Sequence, residues 1–96
     1  MSQLKQVTAV VHGTVQGVSF RYYTQQAARR LGLTRWVAQP RNGTVKAVAE
    51  GDEAALQAFL EFLHEGSPAA RVQRVETTWA KAAGAFHTFS VRLIDG

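Results

Sequence analysis

The stretch Arg35–Gly66 reads RWVAQPRNGTVKAVAEGDEAALQAFLEFLHEG, and its periodicity changes along its length. It opens inside LTRWVA, residues 33–38, where Thr, Trp and Val favour a pleated surface and a strand is expected. QPRNG carries turn chemistry: Pro40 presets one dihedral, and Asn42-Gly43 tolerate positive φ. Val45, Ala47 and Ala49 then alternate with Thr44, Lys46 and Glu50, the period of a second strand. Arg35–Glu50 therefore reads as an antiparallel hairpin. At Asp52 the period lengthens. Asp52 suits an N-cap, Glu53 places negative charge in a first turn, and Leu56, Phe59, Leu60 and Leu63 follow the i, i+3, i+4, i+7 pattern of a helix that Gly66 closes.

Outward from this core, Val7, Ala9 and Val11 alternate with Thr8, Val10 and His12 as a strand. Phe20, Tyr23, Ala27 and Leu31 recur at helical spacing, and Gly32 stands where that helix stops. Beyond Pro68, Val72, Val75, Thr77 and Trp79 mark a fourth strand. Phe89, Val91 and Leu93 alternate with Ser90 and Arg92 as a last edge strand. The order is strand, helix, strand, strand, helix, strand, with a short extra strand. It implies an α+β, ferredoxin-like split βαβ sandwich, with two helices on one face of a four- to five-stranded antiparallel sheet. Such a fold hosts many activities, so function has to be argued from a site.

Composition narrows the classes. The 96 residues 1–96 read as a single domain, with 46% apolar residues for one core. There is no cysteine, which excludes a disulfide framework, a thiolate nucleophile and a Cys-based metal site. No stretch approaches the length of a membrane span, and the opening MSQLKQV lacks the apolar core of a signal peptide, so a cytoplasmic protein without a membrane partner is expected. A net charge of +4 suits small phosphates or nucleic acid, or is simply a solvated basic surface. Arg29 and Arg30 fit the latter, at a helix C-terminus where positive charge offsets the dipole. No RRM-like basic-aromatic signature occurs, so nucleic acid is not an expected partner. His12, His64 and His87 have no short-range ligand spacing, and no metal is expected. Ser19 stands in no Ser-His-Asp arrangement. The aromatic residues Phe20, Trp36, Phe59, Trp79 and Phe89 are most simply core or sheet-face residues.

The one stretch that asks for chemistry is Val11–Arg21, VHGTVQGVSFR. Gly13 and Gly17 permit φ values that other residues resist. A loop so bent aims successive N–H groups into one concavity, an anion nest, and the following helix N-terminus adds unpaired N–H groups and its dipole. Arg21 falls in the first helical turn, where its charge is unfavourable to the helix and a bound anion would offset that cost. Its guanidinium can grip a phosphoryl group with two N–H bonds. The stretch is neither a Walker A loop nor a dinucleotide fingerprint. On glycine spacing alone, a structural turn is the plainer reading.

VHGTVQGVSFRYY resembles the signature of the acylphosphatase family. The resemblance continues through GLTRWV, NGTVKAVAEG, GSPAARVQRV and FHTFSVR, nearly the whole chain. It implies a ferredoxin-like hydrolase that cleaves the carboxyl-phosphate bond of small-molecule acyl phosphates; a monomer is expected. It also implies no cofactor, no metal and no covalent enzyme intermediate. Carried over by position, the amides of Val15, Gln16, Gly17, Val18, Ser19 and Phe20 form the phosphate cradle, and Arg21 is the phosphate-binding arginine. The family pattern Gly-Trp-Val-x-Asn falls without a gap on Arg35-Trp36-Val37-Ala38-Gln39. The Asn that orients the attacking water is therefore Gln39 here, and the preceding Gly is Arg35. Gln keeps the carboxamide but adds one C–C bond, about 1.5 Å of reach. A misplacement of roughly 1 Å costs on the order of 100-fold in rate, so slower turnover is expected. Arg35 is expected to face solvent, with attraction of substrate as its other reading. Two rivals to the enzyme remain: a phosphate-binding module without turnover, marked by Gln39, and an RNA-binding sheet.

Overall fold

The computed structural model describes residues 4–15, 20–40, 42–68, 70–84 and 88–92. Five strands and two helices follow in the order β1 (Leu4–Thr14), α1 (Phe20–Arg30), β2 (Thr34–Ala38), β3 (Val45–Asp52), α2 (Glu53–Glu65), β4 (Arg71–Lys81) and β5 (Phe89–Val91). The strands form one sheet in the order β4-β1-β3-β2-β5. Val7, Ala9, Val11, Val37, Val45, Ala47 and Ala49 share one sheet face. They pack with Phe20, Ala28, Leu56, Phe59, Leu60 and Leu63 of the helices. Alternation leaves Thr8, Val10, His12, Lys46, Val48 and Glu50 on the other face. The ferredoxin-like sandwich is the one that the element order implies.

The sheet is mixed, not wholly antiparallel as expected. β1 pairs antiparallel with β3 and β4, and β2 antiparallel with β3, but β5 runs parallel to β2. Connectivity gives the reason. β4 and β2 lie on opposite sides of the β1–β3 pair and run in opposite directions. A short crossing from the end of β4 brings the chain to β2 at the end where β2 starts. From there β5 can only run alongside β2. Phe89 locks it in place: it is 1% exposed and meets Phe59 edge to face at 5.9 Å.

Helix α2 follows its pattern, burying Leu56, Phe59, Leu60 and Leu63. Asp52 occupies the N-cap in an extended conformation but makes no side-chain cap bond. Glu53 instead accepts from Lys5 Nζ at 2.6 Å, tying the helix start to β1. Gly66 caps the other end with φ +75. In α1 the buried stripe is Phe20, Thr24, Ala27 and Ala28, whereas Tyr23, expected on that stripe, is 39% exposed. Small side chains let this helix lie close to the sheet, where a tyrosine ring would hold it away. The hairpin turn is fixed differently from expectation at Asn42. Its Oδ1 accepts from Thr44 N at 3.1 Å and Thr44 Oγ1 at 2.6 Å, and the positive φ falls on Gly43 and not on Asn42.

Gly13 lies within β1, not in a loop. The register with β4 shifts between His12 and Gly13, a bulge, and Gly13 takes φ +136 there. A Cβ at this position would stand 2.1 Å from the Arg71 carbonyl oxygen. The Gln73 N would also lie too close, and both groups are backbone, so neither can yield cheaply. Gly13→Ala is expected to lower stability by about 2–3 kcal/mol, read from denaturant unfolding against the parent chain.

Candidate active site

Strand direction gathers the sequence-predicted residues. β1 ends, α1 begins, and β2 and β5 end at the same end of the sheet, here termed the site end. Val15, Phe20, Arg21 and Gln39 all lie there. Gln16, Gly17, Val18 and Ser19, the other candidate cradle residues, lie outside the described residues.

The two residues that bracket 16–19 are both sunk in the core: Val15 is 0% and Phe20 1% exposed. Phe20 starts α1 and meets Phe62 with ring centroids 6.4 Å apart. Its ring also passes so close to Gly66 that a Cβ there would lie 2.6 Å from ring Cε2. The helix start is thus pinned against the C-terminal turn of α2. Its first N–H groups have no partner within the helix, because the turn that would accept them does not exist.

Arg21 follows in the first turn, half-buried. Its Nη1 donates to the Arg92 carbonyl at 3.3 Å. Among the described residues no carboxylate pairs with it. Arg92 in turn donates its N–H to the Val37 carbonyl at 2.8 Å, two residues before Gln39. Gln39 is half-buried just beyond β2, and among the described residues its carboxamide bonds to no side chain or backbone group. Alternation with Val37 directs it toward the helix face, the side from which Arg21 comes. Sequence reasoning passed over Arg92. Nothing in an alternating edge strand marks a residue whose main chain links two others.

Arg35 is neither solvent-facing nor near the phosphoryl candidates, which corrects both earlier readings. It sits at the start of β2, four residues and about 13 Å of strand from Gln39. Its φ is +104, the only positive value at a non-glycine residue among those described. That conformation suits the glycine of the family pattern and strains an arginine. It also turns the side chain off the helix face, where its partner Ala49 points, to the open one. There Nη1 donates to Gln6 Oε1 at 2.9 Å and to Glu50 Oε2 at 3.1 Å. Glu50, 5% exposed, also accepts from the N–H groups of Ala83 at 2.8 Å and Gly84 at 3.1 Å. Burial pushes the Glu50 carboxyl up, but the Ala83 and Gly84 N–H groups, then Arg35, draw it below its ordinary 4.5.

The histidines have structural partners where they are described. His64 Nδ1 lies 2.8 Å from the Leu60 carbonyl in the last turn of α2, and His12 Nε2 lies 2.6 Å from Glu76 Oε1. That contact holds the Glu76 carboxyl below its ordinary value. His87 is outside the described residues. Among those described, no group of three His, Cys, Asp or Glu could hold a metal, and no helix is long and apolar enough to cross a membrane.

Comparison with known proteins gives one family. The Acylphosphatase family model matches residues 7–91. An acylphosphatase of Salinibacter ruber is 47% identical over 88 residues, 92% of this chain and 93% of that one. One of an Acidovorax species is 51% identical over 75 residues, 78% and 77% of the two chains. The crystal structure of acylphosphatase from Bacillus subtilis superposes with a TM-score of 0.89 at 39% identity, over 92% of this chain and 98% of that one.

The Glu50 cluster generates a pH test. Because its pKa is lower folded than unfolded, its stabilisation is complete above about pH 4.5 and is lost as pH falls through the folded-state value. Glu50→Gln should lower stability near pH 7 by roughly 2–3 kcal/mol. It should also flatten the fall of Tm with pH below 4.5, measured by thermal unfolding across that range.

Proposed function

The chain belongs to the acylphosphatase family, and from that membership we propose how its own residues hydrolyse an acyl phosphate. The phosphoryl group binds at the site end, between the amides from Val15 to Phe20 and the Arg21 guanidinium. Gln39 holds the water that attacks phosphorus. One observation carries the reading: Arg21 reaches β2 through a single residue, Arg92, at the end of the strand where Gln39 stands.

The chemistry needs few groups. Water oxygen forms a bond to phosphorus as the bond from phosphorus to the acyl oxygen breaks. The carboxylate leaves with the bonding electrons, and the water proton passes to phosphate or solvent. A carboxylate is already a stable anion, so no general acid is required. The transition state is loose, with charge spread over three equatorial oxygens. Fixed N–H donors and one guanidinium stabilise that charge without reorganising. The buried Val15 and Phe20 support this role, because their own N–H groups are held by the core and need not be ordered at each turnover. Gln39 keeps the donor and acceptor of a carboxamide, one methylene further from its backbone than the family's Asn.

Two substitutions test the assignments. Arg21→Lys should cost roughly 100-fold or more in kcat/KM for a simple acyl phosphate, because a point charge cannot reproduce a planar fork. Parent-like turnover would remove Arg21 from its role. Gln39→Asn should raise kcat, and Gln39→Ala should lower it by about tenfold or more, both with inhibition by inorganic phosphate nearly unchanged. An alanine variant as fast as the parent would show that Gln39 orients nothing.

A further inference from the structure

We propose that Arg92 is a positioning residue for Arg21, using its main chain to set the guanidinium against the end of β2. The inference rests on the reading that Arg21 binds the phosphoryl group.

Three contacts converge on this residue. Its carbonyl accepts from Arg21 Nη1 at 3.3 Å, and its N–H donates to the Val37 carbonyl at 2.8 Å. Its own guanidinium lies over the Trp36 ring, 4.4 Å from the centroid. Trp36 pairs with Val48, so its ring lies on the open face of the sheet, opposite the helices. The side chain thus clips Arg92 to one face of β2, while its carbonyl receives the arginine that comes from the helix side. Among the described residues neither guanidinium has a carboxylate partner. Among the described residues the stack on Trp36 is therefore the contact that fixes the Arg92 side chain, and a stack of this kind holds a cation without neutralising it.

The consequence concerns freedom at the site. A long side chain in a first helical turn has many rotamers, and gripping an anion with both guanidinium edges demands one of them. A carbonyl at a fixed height on the sheet takes one N–H of the fork and leaves the other donors for an anion. Because that carbonyl hangs from Val37, and Gln39 continues the same strand, the phosphate-binding and water-holding groups share one ruler. Arg92 itself need not touch the substrate.

Inorganic phosphate is the probe, with binding measured by calorimetry and Tm recorded in parallel. Arg92→Pro keeps the carbonyl but deletes the N–H that hangs it from Val37. It should weaken phosphate binding on the order of tenfold. Arg92→Ala, which loses the stack, should weaken it several-fold, and Arg92→Lys, which keeps a cation over Trp36, should restore most of that loss. In an Arg21→Ala background neither Arg92→Pro nor Arg92→Ala should weaken binding further, since both act through the missing guanidinium. The proposal is overturned if Arg92→Ala and Arg92→Lys bind phosphate like the parent, or if losses at positions 21 and 92 add. Should Arg92→Pro fail to fold, the alanine and lysine pair still decides. If Arg21→Ala alone binds phosphate like the parent, the phosphoryl reading of Arg21 fails first and takes this inference with it.

Discussion

A carboxylate shut away from water must collect donors or lose its charge, and Glu50 collects three. The Arg35 guanidinium, the Ala83 N–H and the Gly84 N–H converge on it from β2 and from the chain leaving β4. The consequences spread from there. The two N–H groups fix where the chain turns after β4. That turn leads to the edge beside β2, where Arg35 N donates to the Thr88 carbonyl and β5 begins. β5 leads directly into Arg92, and Arg92 receives Arg21. A cluster at one end of the sheet therefore sets the position of a group at the other end. The arrangement tolerates a strained residue: an arginine at φ +104 costs on the order of 1–3 kcal/mol, which its ion pair to a buried acid offsets.

The site end works by a different principle. Among the described residues nothing there resembles the Glu50 cluster, since no acid pairs with Arg21. What holds the region is packing. Val15 and Phe20 fasten the flanks of 16–19 into the core, and the missing side chain of Gly66 makes room for the Phe20 ring. Apolar anchors suit a site for an anion, because they fix the backbone without adding competing charge. The two ends thus divide the work: charge pairing secures the crossing, and dry packing leaves positive charge available where phosphate is expected.

Much of this was legible beforehand, and for identifiable reasons. α2 could be read because its four buried residues, Leu56, Phe59, Leu60 and Leu63, obey one helical period and Gly66 ends them. Arg21 could be read because a cation in a first turn needs an explanation. Other features were not local. The parallel pairing of β5 depends on which edge β4 occupies, and no residue of Phe89–Val91 records that. Arg35 looked like a solvated charge, since its ion pair with Glu50 spans fifteen positions and its backbone conformation has no sequence mark. Gly13 was legible as a special glycine, but its reason is the Arg71 carbonyl on another strand. Tyr23 obeyed the helical period and still faced outward, because Thr24, Ala27 and Ala28 offered the closer approach.

The strand order also bears on how the chain finds its fold. β1 sits between β3 and β4, so the strand that comes first in the chain needs both later ones as neighbours. Its contact with β4 joins His12 to Glu76, 64 positions apart. Closing so long a loop costs entropy before any ladder bond repays it, and chains dominated by such pairings fold slowly for their size. The hairpin of β2 and β3 with α2 behind it can form from near neighbours. β1 can then add to the exposed side of β3, and β4 only after β1. The Arg21–Arg92 link depends on β5, which follows β4 in the chain. That link is therefore among the last contacts that the folding molecule acquires.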